Sequence, residues 1–113
     1  MRLPNGERAY LGTKIEDDVL DSSHERGGHK ARLFASVLGI TKSNADILRR
    51  AVQAAAATSD AAEPGATGAF GRVYSLRVPI RTIKGSASIL SAWIVRPGED
   101  FPRLTTCSII RRR

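Results

Sequence analysis

The hydrophobic pattern of this 113-residue chain changes period once, near its middle. Up to about Ala57 the apolar residues recur at helical spacing; from Arg72 onward they alternate. Periods of about 3.6 and about 2 demand helices and strands respectively, and neither pattern can bury its apolar face in the other conformation. The chain therefore reads as α+β: two to three N-terminal helices packed on one face of a three- or four-stranded antiparallel β-meander. At this length one core suffices, so 1–113 is expected to form a single domain. It divides into a helical part over about 13–58, a loop over 59–70 and a sheet part over about 71–110.

Within the helical part, Ile15, Val19 and Leu20 form a narrow stripe, predicting a short helix from about Lys14 to Leu20. Thr13 and Glu16 have the spacing of a capping box, and Asp17 and Asp18 suit a first turn. Ala31, Phe34, Ala35 and Leu38 define one face of a second helix over about 29–38. Gly39 suits the left-handed C′ position, and Ile40 supplies the apolar contact of a Schellman stop. Thr41 or Ser43 then caps a third helix running to about Ala57, with Asn44, Ile47, Leu48, Ala51 and Ala55 along one side. The stretch from Thr58 to Ala69 has no periodicity and reads as a mobile loop.

In the sheet part, Tyr74, Leu76, Val78 and Ile80 point one way, and Ser75, Arg77, Pro79 and Arg81 the other. Pro79 cannot donate to a ladder, which makes this an edge strand at that point. Lys84-Gly85 predicts a hairpin turn. Ala87 to Val95 is apolar on both faces and so belongs in the middle of the sheet. Burying Trp93 there contributes about 4–6 kcal/mol, taking a side-chain area of 150–250 Å² at 25 cal/mol per Å². The last strand, Leu104 to Ile110, places Leu104, Thr106, Ser108 and Ile110 on one face and Thr105, Cys107 and Ile109 on the other.

Charge sets the partner class. Eighteen basic against eleven acidic residues leave a net charge of +7, which favours polyanions, nucleic acid above all. Trp93 and Tyr74 read as core, so an extended base-stacking surface is not expected. Arg111–Arg113 reads as a disordered electrostatic arm. One cysteine, Cys107, rules out an intramolecular disulfide and, in an apolar stretch, reads as a buried thiol. No apolar run spans a membrane and the N-terminus lacks a signal-peptide core, so the expectation is a cytoplasmic protein that does not engage membranes. His24 reads as plain loop, and no recognised metal-ligand spacing joins it to His29 and Asp21, so neither metal nor cofactor is expected.

The stretch with the richest chemistry is Gly27-Gly28-His29-Lys30-Ala31-Arg32-Leu33-Phe34, where a diglycine runs into a helix start carrying three basic side chains. Histidine is the side chain that both gives and takes a proton near neutral pH. Metal-independent RNA cleavage needs such a group, together with cations to stabilise charge on phosphorus. His29 and Lys30 are the catalytic candidates, joined from the last strand by Thr106. Lys14, Arg32, Arg96, Arg103 and Thr105 are candidates for holding phosphate. Ala31, Leu33 and Phe34 are explained by the core alone, and a His-Lys pair beside glycines also fits a solvated helix start.

Several segments together resemble an uncharacterised bacterial family, a domain of unknown function with toxin-like members. They are Leu3-Pro4-Asn5, Lys14-Ile15, Gly28 to Phe34, Leu38-Gly39-Ile40, Ser91 to Arg96 and Phe101 to Cys107. That family includes stand-alone proteins similar to toxins of toxin–antitoxin pairs, and C-terminal domains of polymorphic toxins. Its layout is similar to the barnase/EndoU/colicin/RelE-like ribonuclease fold. The resemblance implies a stand-alone toxin held in check by a small acidic antitoxin or immunity protein.

The expected function is therefore a metal-independent ribonuclease toxin, an endoribonuclease acting as monomer or homodimer. Two other readings fit the same residues. One is a non-catalytic basic module that holds nucleic acid or an acidic protein, with steeply salt-dependent binding and no product. The other is a small homodimeric structural protein paired through a free sheet edge.

Overall fold

A computed structural model of the chain describes residues 1–21, 23 and 28–110. The expectations for His24, Gly27 and the Arg111–Arg113 tail lie outside the described residues. The architecture is α+β, with helical segments first and a four-stranded antiparallel meander after them, in the order β1-β2-β3-β4.

The first helical segment is a wide turn over Ile15–Val19, closed by Leu20 N–H donating to the Ile15 carbonyl at 2.9 Å. Ile15, Val19 and Leu20 are buried, as their spacing requires. The capping box at Thr13 does not form. Glu16 instead turns to Arg49, whose guanidinium lies 2.7 Å from its carboxylate and also donates to the Gly12 carbonyl at 2.6 Å. A charge-assisted contact to another helix outcompetes the local cap.

The second segment begins as α1 (Gly28–Leu33) and widens over Phe34–Leu38. It ends as its sequence predicts. Gly39 adopts φ 68°, and the Ile40 N–H returns to the Phe34 carbonyl at 3.1 Å. Phe34, Leu38 and Ile40 are buried. Thr41 and Asn44 then form a reciprocal capping box on a short turn, Lys42–Asn44, leading into α2 (Asp46–Thr58). The α2 stripe keeps Leu48 buried and Ala51 and Ala55 packed against the core as expected, but it is centred on Leu48, Val52 and Ala56, and Ile47 is 38% exposed.

Two features of the sheet differ from the sequence pattern. The expected loop contains a strand, β1 (Glu63–Gly68), exposed along its whole length and paired with the start of β2 (Gly71–Arg81). It has no alternation to announce it; the β2 edge provides the ladder. The pairing stops at Ser75, so β2 has a free edge around Pro79, as proline requires. The second difference lies in β4 (Arg103–Ile110). Its register with β3 (Ser86–Val95) shifts between Ala92 and Trp93, which leaves Thr105 as the extra residue of a bulge. The bulge flips the pattern, so Leu104 is buried together with Cys107 on the core side, opposite Trp93 and Ser91.

The core lies between the helices and the face formed by Tyr74, Leu76, Val78, Ile89 and Trp93. Ile15–Val19 and α1 pack against β4, Phe34–Leu38 against β3, and α2 against β2. The helical layer thus covers β2, β3 and β4. No helix among the described residues is long and apolar enough to cross a membrane.

Candidate functional site

The site grows from two neighbours in sequence that face different surroundings. On α1, His29 is exposed and Lys30 half-buried, while Gly28 before them and Ala31 after them are buried. Burial of Ala31 and Phe34 fixes the rotation of the helix. That leaves Lys30 at the margin of the core, where its long stem can run along apolar surface. Its ammonium donates to Thr106 Oγ1 at 2.8 Å. This bond links the start of α1 to the bulged edge strand across 76 residues of sequence. The bulge helps: with Thr105 as the extra residue, β4 presents two successive hydroxyls, Thr105 exposed and Thr106 half-buried.

Cys107, next to Thr106, is fully buried, and burial pushes its thiol up to about 12. Two charges modulate it: Lys30 pulls the value down and Asp18 pushes it up. Asp18, Lys30, Thr106 and Cys107 therefore share one neighbourhood, with the Cys107 thiol kept protonated and inert as a nucleophile.

The other candidate residues are dispersed. Lys14 is exposed at the start of the Ile15–Val19 turn. Arg32 is exposed beside a depression of about 330 Å³ that it shares with Thr41, Lys42 and Ser43. Arg96 is exposed just past the end of β3. Arg103 is held in place by the protein itself. Its guanidinium grips Glu99 with two bonds of 2.8 and 2.9 Å, and lies 5.0 Å from the Tyr10 ring centroid and 5.2 Å from that of Phe101. Glu99 accordingly sits below the usual carboxylate range. Among the described residues, no three His, Cys, Asp or Glu side chains come together to hold a metal ion.

The family model described as Domain of unknown function (DUF6883) matches residues 2–111. The chain belongs to that family. No curated protein and no solved structure matches it.

In this DUF6883 domain the geometry brings together Lys30 and Thr106, whose sequence neighbours His29 and Thr105 are both exposed. It does not gather the arginines around that pair. Sequence reasoning missed Asp18, which read as a residue serving the helix dipole. Its proximity to Cys107 depends on Ile15–Val19 packing against β4, and spacing along the chain carries no sign of that contact. Chemically, the Lys30–Thr106 pair offers a cation and a hydroxyl in fixed relation, and His29 on the same helix offers an imidazole open to solvent. That set can hold an anion and move a proton.

Proposed function

We propose that this DUF6883 domain is a metal-independent ribonuclease of the toxin type, acting on RNA in the cytoplasm. The observation that carries the reading is the 2.8 Å bond from Lys30 to Thr106, which ties α1, the helix that carries His29, to the bulged strand β4. The net charge of +7 supports an RNA substrate. In this reading the Lys30 ammonium and the Thr105 and Thr106 hydroxyls receive the scissile phosphate. His29 takes the proton of the ribose 2′-hydroxyl. The 2′-oxygen bonds to phosphorus, the bond from phosphorus to the 5′-oxygen breaks, and that oxygen leaves with a proton from solvent. The products are a 2′,3′-cyclic phosphate and a 5′-hydroxyl end. Lys30 opposes the charge that builds on phosphorus, an electrostatic contribution that grows in the transition state.

The test is single-stranded RNA incubated in EDTA with the purified chain, beside His29→Ala and Thr106→Val variants whose folding is checked by circular dichroism. Cleavage by the parent is expected to fall at least about 100-fold in His29→Ala, the scale of general acid–base catalysis. Absence of products, or equal cleavage by parent and His29→Ala, overturns the reading. Salt-dependent binding without products favours the non-catalytic module instead.

A further inference from the structure

Deepening the ribonuclease reading, on which it rests for its ligand, we propose that Tyr10 is a platform for one unpaired base of the RNA, so that single strands and not duplexes are the substrate. Residues 9–11 run beside the start of β4. The Tyr10 N–H donates to the Pro102 carbonyl and the Leu104 N–H to the Tyr10 carbonyl, both at 2.9 Å. This parallel pairing sets Tyr10 beside Arg103. Leu11 and Leu104 turn into the core, so Tyr10 and Arg103 point to the sheet face away from the helices. Thr106 shares that face. Because the bulge absorbs Thr105, Arg103 and Thr106 stand opposite Ile94 and Ala92, which flank the buried Trp93 on β3. Two strand positions cover about 7 Å, the rise of about two stacked nucleotides. A base on Tyr10 is thus within reach of a phosphate held at Lys30 and Thr106.

The ring is held in place and yet open. The Arg103 guanidinium lies over it, 5.0 Å from its centroid, and over Phe101 at 5.2 Å. Both bonds of the guanidinium fork go to Glu99, which fixes Arg103 against the ring. Gly12, at φ 54°, lies so close that a Cβ there would come 3.0 Å from Tyr10 Cε2. Despite these neighbours Tyr10 is 53% exposed. A ring already immobilised loses little conformational freedom when a base covers it. The two carboxylates of the loop before β4 are paired within the protein, Glu99 with Arg103 and Asp100 with Arg8, so neither stands unopposed against a phosphate. A duplex hides its base faces in its own stack, whereas a single strand offers them to aromatic side chains. One ring accommodates one base, not an extended run of them.

The test uses the full chain and a labelled single-stranded RNA of about eight nucleotides, within the usual site size. Its riboses are 2′-O-methylated, so it binds without a 2′-hydroxyl to attack phosphorus. Fluorescence anisotropy gives affinities, and chemical shifts of the Tyr10 ring report contact. An abasic unit is moved through the probe one position at a time. On the parent chain, one position is expected to weaken binding about 5- to 150-fold, the scale of a base–aromatic stack. Tyr10→Ala should lose the same factor and become indifferent to that abasic unit, while Tyr10→Phe keeps the parent affinity. If Tyr10→Ala does not fold, the abasic scan and the ring shifts of the parent decide. The proposal is overturned if the probe does not bind, if no abasic position matters, or if folded Tyr10→Ala stays sensitive to it. It is also overturned if the probe as a duplex, or a second copy of the chain, perturbs the ring instead. Cleavage of unmodified RNA, assayed in parallel, separates the two readings. Tyr10-dependent binding without cleavage removes the ribonuclease and keeps the subsite. Cleavage with the same kcat/KM in Tyr10→Ala keeps the ribonuclease and removes the subsite.

Discussion

Ser91 shows how much one side chain can settle. It is a fully buried polar residue in an otherwise apolar core. Its hydroxyl accepts from Trp93 Nε1 at 2.9 Å and donates to the Leu76 carbonyl at 2.8 Å. Ser91→Ala therefore strands an indole N–H in the interior and is expected to cost about 1–3 kcal/mol, read as a lower denaturation midpoint in urea. Cys107 makes the opposite point. Sequence pattern already identified it as a buried thiol, and burial raises its pKa to about 12. Dithionitrobenzoate should leave the native protein unmodified at neutral pH and label one thiol per chain once urea unfolds it. Rapid native labelling would show that the β4 edge opens. The candidate site divides along the same line. His29 and Lys30 were legible because unusual residue types cluster there, whereas the Lys30–Thr106 bond required knowing which strand lies next to α1.

At the scale of elements, the features legible in the sequence are those dictated by backbone chemistry. Gly39 stops a helix because its φ of 68° is open to glycine and costly for residues with a Cβ. Thr41 caps the next turn because its side chain can take an orphan N–H. Where the structure departs from the sequence pattern, two solutions were nearly equal. The alanine-rich α2 can centre its buried stripe on the Ile47 side or the Val52 side of Leu48; packing chose Leu48, Val52 and Ala56, with Ala51 and Ala55 at its margin. One contact behind that choice is visible at Gly6, in a short turn over Gly6–Arg8 against α2, where a Cβ would run into the Ala56 carbonyl. Gly6→Ala is accordingly expected to destabilise by about 1–3 kcal/mol, the cost of overpacking, measured by thermal melting. A neutral outcome would mean that α2 slides freely on this turn. In β4, alternation assigned the faces correctly from Cys107 onward and failed at Leu104, because a bulge adds a residue that no periodicity announces.

For the molecule as a whole, charge couples to stability through a few pairs. Arg49 holds Glu16 below its ordinary 4.5 and joins α2 to the Ile15–Val19 turn. A carboxylate with a depressed folded-state pKa contributes stability that is present above the unfolded pKa and lost as pH falls through the folded one. Arg49→Met should therefore lower stability at neutral pH and flatten its decline below about pH 4.5, followed by urea titrations across pH 2–7. A parallel offset at every pH would show that Arg49 acts through packing and its bond to the Gly12 carbonyl instead. At this scale the division of labour is clear. Local chemistry in the sequence determined the α+β class, the order of helices before strands, the Gly39 stop, the Thr41 cap and the burial of Trp93. Each follows from side-chain period or from one residue's backbone preferences. Tertiary structure alone decided β1, the rotation of α2, the bulge at Thr105 and the meeting of Lys30 with Thr106. These depend on contacts between segments far apart in the chain, where several local solutions are close in energy and packing selects one.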